Sequence, residues 1–93
     1  MRTIERSSAF KRDYKREANG PHRNTLDPTL SAVLLALATD QPLDARHRDH
    51  NLSGDWSGYR ECHVKPDLLL IYRKTGSGLL RLARLGSHSE LFR

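Results

Sequence analysis

Histidine occurs five times in these 93 residues, and His47, His50 and His63 fall within one short span. An unperturbed imidazole titrates at about 6.5, so it can take or give a proton near neutrality. Metal-free cleavage of an RNA phosphodiester needs a base for the 2′-OH proton, an acid for the departing 5′ oxygen, and cations that stabilise the charged phosphorane. Imidazole, carboxylate and guanidinium groups suit those tasks. Strand alternation over residues 59–64 puts Tyr59, Glu61 and His63 on one face and Arg60, Cys62 and Val64 on the other. Glu61 can then orient or charge His63. Asp67 follows across Lys65-Pro66, close to His63, and the turn type decides whether the two side chains share a face.

The same side chains have other uses. His47 and His50 are three apart and Cys62 adjoins His63, yet a structural zinc site shows two well-spaced ligand pairs, and Cys62 and His63 alternate in direction. Cys62 could serve as a nucleophile, but an inward cysteine in an apolar strand is first of all core. Gly-rich phosphate loops, serine-nucleophile motifs and zinc-finger spacing are absent from the sequence.

The elements that must position these groups can be read from spacing and caps. Thr3–Arg6 suits a short strand, and Ser8 is placed to cap a helix over residues 9–18, with Phe10 and Tyr14 on one face. Asn19-Gly20-Pro21 ends it. Asp27 as N-cap and Pro28 at the first position open a second helix reaching Thr39, with Leu30, Val33, Leu34 and Leu37 at helical spacing. Its lack of charge predicts burial on more than one face. Residues 40–55 form a long polar connection, a kind that is often functional in a small domain. Strands follow at 59–64, at 68–72, whose Leu-Leu-Leu-Ile run predicts a central position, and at 79–85 after the Thr75-Gly76-Ser77-Gly78 turn. Ser87 and Glu90 have capping-box spacing and would start a short helix carrying Leu91 and Phe92. The expected architecture is α+β, in the order β-α-α-β-β-β: two N-terminal helices on a small, mainly antiparallel sheet, and a short C-terminal helix. Residues 1–93 are expected to form a single domain.

Twelve Arg and four Lys stand against eleven acids, a net charge of +5 that favours a polyanionic partner. The planar guanidinium fork suits phosphate better than an ammonium does. The single cysteine allows no internal disulfide, and no apolar run resembles a signal or an anchor, so cytoplasm is the expected compartment.

The stretch from Asp49-His50-Asn51-Leu52 through Gly54-Asp55-Trp56-Ser57-Gly58-Tyr59-Arg60-Glu61-Cys62-His63-Val64 to Pro66-Asp67-Leu68-Leu69-Leu70-Ile71-Tyr72 resembles the YafQ branch of the RelE/ParE toxins, with the pattern DHxLxGxWxGYRxxHVxPDxxLIY. Arg84-Leu85-Gly86-Ser87-His88-Ser89-Glu90-Leu91-Phe92 is similar to the same family's RxGxHxxLF ending. The resemblance implies a RelE-like fold and the toxin of a type II toxin–antitoxin pair, one that cuts messenger RNA during translation in the ribosomal A site without a metal or other cofactor. It places His50, His63, Asp67 and His88 at the family's catalytic positions. His88 is the proton-donor candidate, His50 or Asp67 the base, and Phe92 a group that positions a base or the scissile region. Arg60, Arg73 and Arg84 are candidate phosphate contacts from charge and position. The expected partners are a cognate antitoxin, through which the complex would bind operator DNA, the ribosomal A site and messenger RNA, with no membrane. The products would be a 2′,3′-cyclic phosphate or 3′-phosphate and a 5′-OH. Glu61 replaces the Asp common in relatives and changes the reach to His63; Asn51 replaces Pro and would loosen the loop that carries His50.

Two other readings use the same residues differently. A ParE-like gyrase inhibitor would have no use for His50, His63, Asp67 and His88 together. An inactive basic nucleic-acid- or antitoxin-binding module explains the charge but leaves the histidines to chance.

Overall fold

Five successive apolar side chains in residues 68–72 can all be buried only if layers cover both faces of their strand. In the computed structural model, which describes residues 1–76 and 78–92, that strand is central. The elements are β1 (Thr3–Arg6), α1 (Ser8–Ala18), α2 (Leu26–Ala38), β2 (His50–Asn51), β3 (Arg60–Lys65), β4 (Leu68–Lys74), β5 (Leu79–Gly86) and α3 (His88–Leu91). The sheet order is β1-β5-β4-β3-β2, with β1 parallel to β5 and the other pairs antiparallel. This is the expected α+β fold, with β2 added inside the long connection. The Thr75–Gly78 turn was expected to include Ser77, which lies outside the described residues.

Alternation along β4 sorts its side chains between two clusters. Leu68, Leu70 and Tyr72 pack with Phe10, Leu26, Leu30, Val33 and Leu37 beneath the two helices. Leu69 and Ile71 face the other way and meet Ala83 and Leu91, with Leu52, Trp56, Tyr59 and Phe92 packed around them. Helices therefore cover one face of the sheet, while the long connection and α3 cover the other.

Several local expectations shift by a residue or a role. Ser7, not Ser8, caps α1, its Oγ accepting from Phe10 N at 2.9 Å. Helix α2 starts at Leu26 with Thr25 as its N-cap, and Asp27 sits in the first turn, where it accepts from the Tyr14 hydroxyl and ties α2 to α1. Pro28 is tolerated there because first-turn N–H groups have no helical partner. The helix is also less covered than its lack of charge predicts: Leu35 is 57% exposed and Leu34 only half-buried. Small Ala and Ser side chains let an uncharged helix keep a solvent face.

Strand β1 pairs with β5 only over Leu79–Leu82, leaving the rest of that edge to be satisfied by other groups. Side chains from the α1 segment supply them: Ser7 Oγ donates to Ala83 O at 2.7 Å, Leu85 N donates to Asp13 Oδ2 at 3.0 Å, and Arg16 Nη2 donates to Leu85 O at 2.8 Å. Exposed sheet edges are otherwise templates for unwanted pairing. Asp13 is buried and also receives Arg84 Nε at 2.7 Å. Burial alone would raise its pKa, but hydrogen bonds from Arg84 and Leu85 N, with the charges of Arg84 and Arg16, outweigh it and hold the carboxyl below its ordinary value of 3.8. A depressed carboxylate stabilises the fold above its unfolded pKa, and that stability is lost as pH falls through the folded value. Replacing Asp13 with Asn is expected to cost about 3 kcal/mol at neutral pH. In urea titrations the gap from wild type should close as pH drops below about 4; a gap that stays constant with pH would refute this account.

Candidate active site

The face of the sheet away from α1 and α2 carries the candidate chemistry. Strand β3 aims Glu61 and His63 there, while Cys62 and Val64 go into the helix-covered core. His63 pairs with Leu69 and Lys65 with Leu68, so Val64 is an extra residue on β3 immediately after His63. Bulges of this kind re-aim neighbouring side chains, and the Pro66-Asp67 corner follows at once. His47 Nδ1 donates to the His63 carbonyl at 2.6 Å and pins this stretch of backbone from the long connection.

Glu61 is the one buried acid of the group, its side chain 7% exposed, and its Oε1 lies 3.7 Å from both His50 Nε2 and His63 Nε2. His50 Nδ1 donates to Arg48 O at 2.7 Å and His63 Nδ1 faces Pro66 O at 3.3 Å. A carbonyl can only accept, so each Nδ1 is the protonated ring nitrogen and each Nε2 is the one turned to Glu61. Both face one carboxylate. Glu61 and His63 share one face, as strand alternation predicts, and His50 lies at the same distance from the same oxygen.

A cleft of about 440 Å³ is lined by Glu61, His63, Pro66, Asp67, Leu69, Ser87, His88 and Ser89. The fold thus brings His63, Asp67 and His88 together from the β3–β4 corner and the start of α3. His50 is not among the lining residues; it is half-exposed on β2 and reaches the site through Glu61. Phe92 lies beside His88, ring centroids 5.1 Å apart and tilted by 39°. A larger hollow of about 740 Å³ lies between β1, α1 and α2, lined by Phe10, Tyr14, Leu30 and Leu34 among others, and contains no histidine.

The three arginines expected to contact phosphate have different surroundings. Arg60 is held by Asp49, Nη2 to Oδ2 at 3.2 Å, and donates from Nη1 to Asn51 Oδ1 at 2.6 Å. Arg84 is committed to Asp13. Arg73 is exposed, its guanidinium carbon 5.8 Å from the centre of the Tyr59 ring. Among the described residues the cleft lining contains two carboxylates and neither Lys nor Arg. Asn51, expected to loosen the His50 loop, instead ties it to Arg60, and Asp49 anchors the same loop to the buried Tyr72 hydroxyl.

One neighbour of the site had no signal in the sequence. His22, from the α1–α2 connection, puts Nε2 3.3 Å from Asp67 Oδ1, whose side chain is 73% exposed. Cys62 is fully buried, and burial pushes its thiol up to about 12. Iodoacetamide at about pH 8 should label it only after unfolding, because the thiolate is the nucleophile; rapid labelling of the native protein would contradict the burial. Among the described residues no three His, Cys, Asp or Glu side chains converge closely enough to hold a metal ion.

Comparisons with known proteins point to one family. A family model for YafQ, the bacterial toxin of a type II toxin–antitoxin system, matches residues 2–93. The mRNA interferase toxin YafQ of Escherichia coli K12 is 40% identical over 92 residues, 99% of this chain and 97% of the relative. A metal-bound toxin from Helicobacter pylori superposes with a TM-score of 0.86 at 47% identity, over 99% of this chain and 100% of that one. The toxin fold of the E. coli DinJ–YafQ complex gives 0.85 at 38% identity over 100% of both chains. The motif from Asp49 to Tyr72, the fold and the family match coincide over nearly the whole length, and the chain belongs to the YafQ family of bacterial toxins.

Proposed function

We propose that the chain is a ribosome-dependent messenger RNA endoribonuclease, the toxin of a type II pair, working by side-chain acid–base catalysis. The observation that carries this is the shared cleft of His63, Asp67 and His88, with the buried Glu61 carboxylate between His50 and His63. His50 Nε2 or the Asp67 carboxylate takes the 2′-OH proton; the 2′ oxygen attacks phosphorus; His88 protonates the 5′ oxygen as its bond to phosphorus breaks. The products are a 2′,3′-cyclic phosphate, which water can open to a 3′-phosphate, and a 5′-OH. Glu61 stabilises positive charge on His63 beside the phosphorane, Arg73 is the exposed one of the three arginines expected to meet phosphate, and Phe92 flanks the reacting region.

Among the described residues the cleft lining has two carboxylates and no Lys or Arg, which offers free RNA little electrostatic attraction. That favours a message already held by the ribosome. The related E. coli YafQ is seen in complex with DinJ, and a net charge of +5 attracts an acidic antitoxin by the same physics. No described helix is long and apolar enough to cross a membrane.

The deciding experiment maps 5′ ends on messenger RNA in a translating reaction and on the same RNA free in solution. Cutting is expected only on the translated message, with unchanged rate in the presence of a chelator selective for zinc and copper that leaves the ribosome's magnesium in place. Loss of cutting on chelation would refute the metal-free mechanism, a point sharpened by the metal-bound H. pylori relative. Intact message with inhibited gyrase would establish the ParE-like alternative, and no effect on either would establish an inactive binding module.

A further inference from the structure

Helix α3 has four residues, His88–Leu91, too few to be stable alone. Its orientation nevertheless decides where the His88 imidazole points and where Phe92 follows. The capping box between Ser87 and Glu90 closes its first turn, and Leu91 is buried against Leu69, Ile71 and Ala83. A third attachment comes from α1.

Glu90 divides its carboxylate between two tasks. Oε1 accepts Ser87 N–H at 2.8 Å and completes the cap, while Oε2 lies 3.1 Å from Arg16 Nε. The same guanidinium donates to Leu85 O at 2.8 Å, to Asp13 Oδ1 at 3.0 Å and to Glu17 Oε2 at 3.0 Å. One side chain thus joins α1, the last residues of β5 and α3. Gly86 lies directly beneath this junction: a Cβ there would meet Arg16 Nη2 at 2.7 Å, Glu90 Oε1 at 3.1 Å and Leu91 Cδ2 at 3.3 Å. The close approach, rather than an unusual backbone angle, is what requires glycine.

We propose that Arg16 is a positioning residue: through Glu90 it fixes α3 against β5 and so sets the direction of the His88 side chain at the cleft. This rests on the reading that His88 protonates the leaving oxygen. Arg16 does not line the cleft, so its effect on the reaction passes through Glu90 and the helix. The position in α1, far from His88 in sequence, explains why no motif marks it.

The test uses the full chain with Arg16→Ala, Arg16→Lys and Glu90→Gln. Glu90→Gln keeps an oxygen for the Ser87 cap and removes only the charge facing Arg16, so it stays informative even if Arg16→Ala is unfolded. Cleavage of translated message is followed over a range of toxin concentrations, and the histidine rings are followed by imidazole NMR. Arg16→Ala and Glu90→Gln should each lower the saturating rate about 10-fold with the half-saturating concentration unchanged. Arg16→Lys should recover part of the rate, and the His88 ring signals should move while those of His47 and His50 stay. A folded Glu90→Gln protein with wild-type rate and unmoved His88 signals would overturn the proposal. So would a raised half-saturating concentration at an unchanged saturating rate. If wild type fails to cut at all, the nuclease reading fails, while the NMR comparison still decides the Arg16–Glu90 link without RNA.

Discussion

The His88→Ala protein is expected to cut translated message about 10²- to 10⁴-fold more slowly than wild type, the usual loss for a missing general acid or base. Its thermal unfolding should be unchanged. His88 is exposed at the first position of α3, where the capping contacts are made by Ser87 and Glu90, not by the imidazole. Truncation removes one ring contact with Phe92 and no core side chain. Loss of rate with retained stability therefore separates chemistry from folding. Mapping 5′ ends at matched protein concentrations, with a melting curve on the same samples, gives both readings; equal cutting by mutant and wild type would remove His88 from the mechanism.

Leu70→Ala is expected to have the largest effect on stability, about 2 to 5 kcal/mol. Domains of this size have in total roughly 5 to 15 kcal/mol, so the variant should lose a large share of its stability. Leu70 is fully buried on β4, opposite Cys62 of β3 and Leu85 of β5, so no neighbour can relax into the space without disturbing two strand pairs. Leu34, which helical spacing sets on the same apolar stripe as Leu30 and Leu37, is half-buried beside a hollow. Urea midpoints should place Leu34→Ala much nearer to wild type than Leu70→Ala. The reverse order would mean that the core has been drawn in the wrong place.

The features legible in the sequence are those with a local period or a local partner. The apolar run of β4, the alternation that sends Glu61 and Cys62 in opposite directions, and the Ser87–Glu90 capping box each need only a few adjacent residues to be recognised. The rest depends on residues distant in the chain. Nothing near Asp67 announces His22, and nothing near Arg84 announces that Asp13 will take its guanidinium. A strand of two residues such as β2 has no period at all, and its existence follows from Glu61 and Arg60 being available for pairing. Asp27 shows a different limit: a residue well suited to cap a helix lies two positions past the N-cap Thr25, where its carboxylate accepts from the Tyr14 hydroxyl. The motif named the candidate site residues, but that the described cleft lining holds no Lys or Arg became visible only when Arg60 and Arg84 were seen engaged elsewhere.

The parallel pairing of β1 with β5 also has a consequence in time. Thr3 is made early yet cannot find its partner until Leu79 has been made. Closing so long a loop before any contact rewards it makes folding slow. During synthesis α1 and α2 can form, but the sheet that holds them is incomplete, and β5 must be in place before α3 can bring His88 up to His63. The cleft is thus a late product of folding: a chain lacking β5 has one wall of it and not the other. A toxin of this fold has no complete cleft while its own last strand is still being made.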